Sequence, residues 1–223
     1  LPSTSKINAE ILYNKYDVFK KLFSYYLYSG LLLFVVLIIR ILRQNKYLDF
    51  IKNALIGIII FLFSLHTFGL IFRGFISGHA PWSDAYESMI YVAWATLFFG
   101  LVFGRKSSLT ISATTFVSSM ILMIAHWNWM DPSIANLQPV LNSYWLMIHV
   151  AVIVASYGPF SISMIIGIIS LLLIIILNNK NRTRVKAKIQ ELTIVNELSI
   201  TIGLIMLTLS LIHISEPTRP LII

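Results

Sequence analysis

The chain has 223 residues, 57% of them hydrophobic and 12% charged, with a formal net charge of +8 and no cysteine. A mean hydropathy of +0.82 puts it outside the range of water-soluble domains, and the missing thiols exclude disulfides, thiolate metal sites and a cysteine nucleophile. The basic residues cluster beside apolar runs rather than along one face, so they read as topology signals and not as a nucleic-acid surface.

In chain order, residues 1–21 are polar and mixed, and read as the end of an upstream, extracytoplasmic segment. Span one is predicted from about Phe23 to Leu42, with Arg40, Arg43, Lys46 and Lys52 at its far end. Span two covers about Phe50 to Phe72. A polar loop from Arg73 to Glu87 leads into span three, about Ser88 to Gly104, which ends at Arg105 and Lys106. Span four runs from about Leu109 to Ala125. The loop from His126 to Ser143 carries Trp127, Trp129 and Asp131 but no lysine or arginine. Span five, Tyr144 to Leu177, ends on Lys180, Arg182, Arg184, Lys186 and Lys188, and a last apolar run starts near Val195.

Stretches of roughly 20 apolar residues each suit a hydrocarbon core of about 30 Å. The fold class that follows is all-α: a polytopic integral membrane bundle of about six helices. The positive-inside rule puts the basic loops after spans one, three and five in the cytoplasm, and the loops after spans two and four on the outer side.

The histidines are the residues best suited to chemistry. His66 lies inside span two, where an imidazole reads equally as a ligand or as a helix-to-helix hydrogen bond. His126, beside Trp127 and Trp129, reads as part of an interfacial aromatic belt. His79 and Asp84 flank Pro81 and Trp82 in a tight loop, which turn formation explains as well as chemistry does. Span five would extend roughly 50 Å as a helix, more than one hydrocarbon thickness, so its first turns stand outside the bilayer. His149 falls roughly 12 Å beyond the boundary, with Trp145 four residues earlier on the same helix face. No glycine-rich phosphate loop, zinc-ligand pair or serine or carboxylate catalytic set is present.

Two segments then carry a resemblance. Ser77-Gly78-His79-Ala80-Pro81-Trp82-Ser83-Asp84-Ala85-Tyr86-Glu87-Ser88, followed by Trp94, is similar to the S-G-H-x-P-x-S-(N/D)-x-Y-E-S…W segment of CcsA/ResC-type cytochrome c biogenesis proteins. Leu141-Asn142-Ser143-Tyr144-Trp145-Leu146-Met147-Ile148-His149-Val150 resembles that family's L-x-S-x-W-L-x-x-H-V segment. With the spans around them they cover about residues 50–208.

The resemblance implies a System II haem-handling protein of the bacterial cytoplasmic (inner) membrane. It makes His149 an external axial ligand of haem iron, with Trp145 in the cofactor site and His66, His79 and Trp82 as additional candidates. Haem b is then the bound substrate, and apocytochrome c, a ResB/CcsB-type membrane protein (separate or fused upstream), thiol-reducing proteins and membrane lipid are the partners. The apocytochrome's Cys-x-x-Cys-His segment would displace one ligand and add its thiols across the haem vinyl groups, so no residue here is catalytic. Haem lyase activity is expected only of a complete protein with its partner. The alternative is a haem exporter or a membrane electron-transfer subunit, and composition alone allows a purely structural bundle.

The domain division is therefore residues 1–21, an incomplete haem-handling domain over 22–208, and a tail over 209–223. Leu209 to Arg219 looks like a translated sequencing-library adapter, which would deprive His213 of any role and leave the tryptophan-rich WWD loop and second outer histidine missing. Gly158-Pro159 departs from the family pattern, and proline there is expected to kink span five near its outer boundary.

Overall fold

The computed structural model describes residues 4–42, 45–127, 132–134, 144–175 and 182–215. Trp129, Asp131, Leu141 to Ser143 and Lys180 lie outside the described residues, as does the side chain of His213. Among the described residues seven α-helices follow one another: α1 (Thr4–Tyr16), α2 (Val18–Leu42), α3 (Lys46–Ser77), α4 (Ala85–Phe103), α5 (Ser108–His126), α6 (Tyr144–Ile175) and α7 (Arg182–Ser215). A single 3₁₀ turn, Gly104–Lys106, joins α4 to α5, and no strand occurs among the described residues. Six of the helical stretches are long and apolar enough to cross a membrane.

Several boundaries differ from the sequence reading: α7 starts at Arg182, well before the apolar run near Val195, and α3 starts at Lys46 rather than near Phe50. Helix α2 starts at Val18 rather than near Phe23, separated from α1 only by Asp17 at φ 40°. Helix α3 does not stop at Phe72. It carries Arg73 inside it and runs to Ser77, because the guanidinium is neutralised within the protein and need not mark the edge of the apolar layer.

Helix α5 sits at the centre, packed against α2, α4 and α6, and its apolar window is 72% buried, against 22–44% for the other spans. Small hydroxylated residues let it do so, since helices in lipid associate through close packing and interhelical hydrogen bonds rather than through hydrophobic exclusion. Ser112 Oγ donates to Gly30 O of α2 at 3.0 Å, and Ser118 Oγ donates to Ala93 O of α4 at 2.8 Å. Thr114 and Thr115 bond back to carbonyls in their own preceding turn. At Gly100 of α4 a Cβ would collide with the side chain of Thr114, so the contact requires glycine.

Helix α6 is continuous through Pro159. Gly158 lies against the backbone of Ala95 and Thr96, so the Gly-Pro step falls where α6 lies close against α4. Helix α7 packs along α6, where Ser163 Oγ donates to Asn196 Oδ1 at 2.7 Å. At the basic end, Asn45 caps α3 and Arg40 pairs with Asp49 at 2.8 Å. At the opposite end the C-termini of α3 and α5 meet the N-termini of α4 and α6, which brings the two motifs to the same end of the bundle.

Candidate functional site

The first motif is a turn that ends one helix and starts the next. Gly78 closes α3 in the left-handed region at φ 75°, a conformation that costs a β-carbon dearly, and its N–H bonds Gly74 O at 3.0 Å. Ser77 Oγ donates to His79 O at 3.2 Å and Ser83 Oγ to Ala80 O at 2.8 Å. Asp84 then caps α4, its carboxylate accepting the N–H of Glu87 at 2.6 Å. Glu87 reaches back to accept the N–H of Ser83 at 3.0 Å, which is the logic of a capping box displaced by one residue.

The other oxygen of Glu87 accepts Arg73 Nε–H at 2.8 Å, and both side chains are fully buried. Arg73 spends its remaining donors on this end of the fold: Nη1 donates to Pro132 O at 3.0 Å and to the Tyr13 hydroxyl at 3.5 Å, and Nη2 to Ser133 O at 3.2 Å. Asp84 Oδ2 lies 3.6 Å from Nη2, and the Tyr86 ring is 5.0 Å from the guanidinium carbon. One cation thus joins α1, α3, α4 and the segment after α5. Sequence reasoning missed this cluster, placing Arg73 in a loop; the available signals were a lone arginine closing an apolar run and a glutamate three residues after Asp84.

His79 is nearly buried, with Nδ1 3.1 Å from Ala80 O and 3.7 Å from Glu87 Oε2. Trp82 leaves the turn sideways: its Nε1 donates to Met147 O of α6 at 3.1 Å, and its ring lies 5.0 Å from that of Tyr91. Below it Tyr91, Trp94 and Phe98 stack in a column at 5.7 and 5.3 Å, with Trp94 Nε1 donating to Thr67 Oγ1 at 2.8 Å. An apolar groove of about 260 Å³ runs between this column and α3, bounded by Leu70, Ile71, Gly74 and Pro81.

His149 lies on α6 two residues beyond Met147. Its Nε2 is buried and has no hydrogen-bond partner among the described residues, while Nδ1 lies 2.7 Å from Ser210 Oγ. Ser210 also donates to His149 O at 3.0 Å, so its single proton is used there and Nδ1–H donates to it in turn. This tautomer leaves Nε2 with a free lone pair. Trp145 shares the helix face by count, yet it is 71% exposed where His149 is half-buried.

His66 stands apart from that end. Its Nε2 lies 3.2 Å from Ile90 O and its Nδ1 3.4 Å from the Tyr26 hydroxyl, with the Phe19 ring edge-on at 5.4 Å. A carbonyl can only accept, so Nε2 carries the proton and Nδ1 accepts from Tyr26. Both nitrogens are occupied in tying α3 to α2 and α4. His126 ends α5 with Nε2 3.6 Å from Asp17 Oδ1, and neighbouring Trp127 is 59% exposed.

The fold and this end together define a polytopic helical membrane protein in which the buried Nε2 of His149, without a hydrogen-bond partner among the described residues, lies near a braced polar turn. The family model described as cytochrome C assembly protein matches residues 82–213, more than half of the chain, and the chain belongs to that family. It is 39% identical over 213 residues to "Protein NrfI" of Wolinella succinogenes, covering 94% of this chain and 23% of that protein. It is 31% identical over 163 residues to "Cytochrome c biogenesis protein CcsA" of Lobularia maritima, covering 71% of this chain and 49% of that one. A further protein of the same name, from Prochlorococcus marinus, is 30% identical over 127 residues, 55% of this chain and 40% of that protein. The chain therefore spans from about a quarter to about a half of the length of these relatives.

Proposed function

We propose that the complete protein holds haem at the outer face of the bacterial cytoplasmic membrane for covalent attachment to apocytochrome c, with His149 as an axial ligand. The observation that carries this reading is the buried, unpartnered Nε2 of His149. A polar atom withdrawn from water without a hydrogen bond costs about 1–3 kcal/mol, and a metal ligand bond is one way to offset that cost. Membership of the cytochrome c assembly family supports the same chemistry.

Haem b is the substrate in this scheme, and its iron supplies the ligand-exchange chemistry. The chain's part is to place an imidazole lone pair, keep its ring fixed, and offer exposed aromatic surface at Trp145. An apocytochrome, a ResB/CcsB-type membrane partner and a source of reduced thiols complete the reaction. A haem exporter or quinone-linked cytochrome would draw on an intramembrane histidine, and His66 has both nitrogens committed to protein partners.

The test uses the complete protein purified with bound haem. His149→Gly is expected to abolish the low-spin absorption bands of the reduced protein and to lower haem retention, and free imidazole to restore both. Retention of haem with unaltered low-spin bands in the variant would remove His149 from the site.

A further inference from the structure

Among the described residues a hydrogen bond from Trp82 Nε1 to Met147 O joins the two motifs. Met147 stands in the first turn of α6, two residues before His149. First turns fray readily, because their N–H groups have no partners within the helix. The Met147 carbonyl already serves the helical ladder, and its second lone pair accepts the indole without displacing that bond.

Trp82 is itself held from several sides. Its N–H bonds Ala80 O at 2.9 Å, its carbonyl accepts from Ser88 Oγ at 3.3 Å, and its ring rests on Tyr91. Trp82 and Ser83 border a small cavity whose far wall is Leu146, Met147 and Val150 in the first two turns of α6, and the indole N–H reaches across to Met147 O. The turn behind it is anchored through Glu87 to the buried Arg73. A rigid path thus runs from α3, through the first motif, to the helix that bears His149.

We propose that Trp82 is a positioning residue for His149: its indole N–H fixes the first turns of α6, so that the imidazole lone pair is presented at a set place and angle. This rests on the reading of His149 as haem ligand. It assigns Trp82 a bond to the backbone of α6, and not a place as a stacking platform for porphyrin.

Trp82→Phe keeps the ring and deletes the donor. In the complete protein, free of haem, amide exchange over residues 147–152 is expected to accelerate while overall helical content stays unchanged. With haem, affinity is expected to fall about two- to tenfold, the range set by losing one neutral hydrogen bond, with a high-spin component appearing beside the low-spin bands. In a His149→Gly background complemented by free imidazole, Trp82→Phe is expected to make no further difference, since a diffusing ligand does not depend on α6.

An equal loss of haem in the imidazole-complemented protein would mean that the indole acts on haem or on the fold at large, and would overturn the proposal. So would unaltered exchange over 147–152. Should His149→Gly by itself leave the low-spin bands intact, the ligand assignment fails instead, and the exchange measurement alone decides whether Trp82 braces α6.

Discussion

Arg73 and Glu87 lie on consecutive helices with their charged atoms 2.8 Å apart, and neither side chain reaches solvent. Such a pair contributes little beyond its own desolvation, but breaking it strands a charge. Arg73→Met or Glu87→Leu alone is expected to destabilise the protein by about 3–5 kcal/mol. The double variant is expected to recover part of that loss, because it removes both charges together yet leaves the carbonyls of Pro132 and Ser133 and the N–H of Ser83 without these partners. Thermal unfolding of the four proteins in detergent measures the coupling, and additive losses would show that the two side chains act independently.

His66 is expected to matter for stability and not for haem. His66→Phe removes two ties between α3 and its neighbours, at about 1–2 kcal/mol in a membrane setting. The melting temperature in detergent should fall while the low-spin bands keep their position and intensity. Loss of those bands with the melting temperature unchanged would make His66 a ligand.

At Gly100 any added carbon collides with Thr114. Gly100→Ala is expected to cost about 1–3 kcal/mol through overpacking. Pairing it with Thr114→Gly, which clears the space, should return part of that stability. A melting temperature unmoved by Gly100→Ala would show that α4 and α5 are not so closely apposed.

Gly78 tests the turn. Its φ of 75° is tolerated by glycine, less well by asparagine and poorly by a β-branched residue. Stability in detergent should fall in the order glycine, Gly78→Asn, Gly78→Val, with the last losing about 1–2 kcal/mol. Equal stability of Gly78→Val and Gly78→Asn would contradict the left-handed cap.

The six spans were legible because each is a near-continuous apolar run, and a hydrocarbon layer demands little else of a sequence. The end of α3 was not. Hydropathy treats an arginine as a boundary, whereas the carboxylate that keeps Arg73 inside the helix stands on the next one at Glu87. Both motifs were visible as segments, but the bond that joins them depends on where Trp82 points across to α6, which spacing along the chain does not encode. The helix periodicity that put Trp145 and His149 on one face could not foresee that one is exposed and the other half-buried, since that difference is set by which helix lies alongside.

The hydroxyls of α5 also bear on how the protein is made. Ser112 finds its acceptor at Gly30 and Ser118 at Ala93, and both carbonyls belong to segments synthesised earlier. Leaving the ribosome in chain order, α5 meets two helices already in the bilayer that can take its polar stripe at once. Vectorial synthesis thereby offers this hydroxyl-rich central span its acceptors as it enters the bilayer.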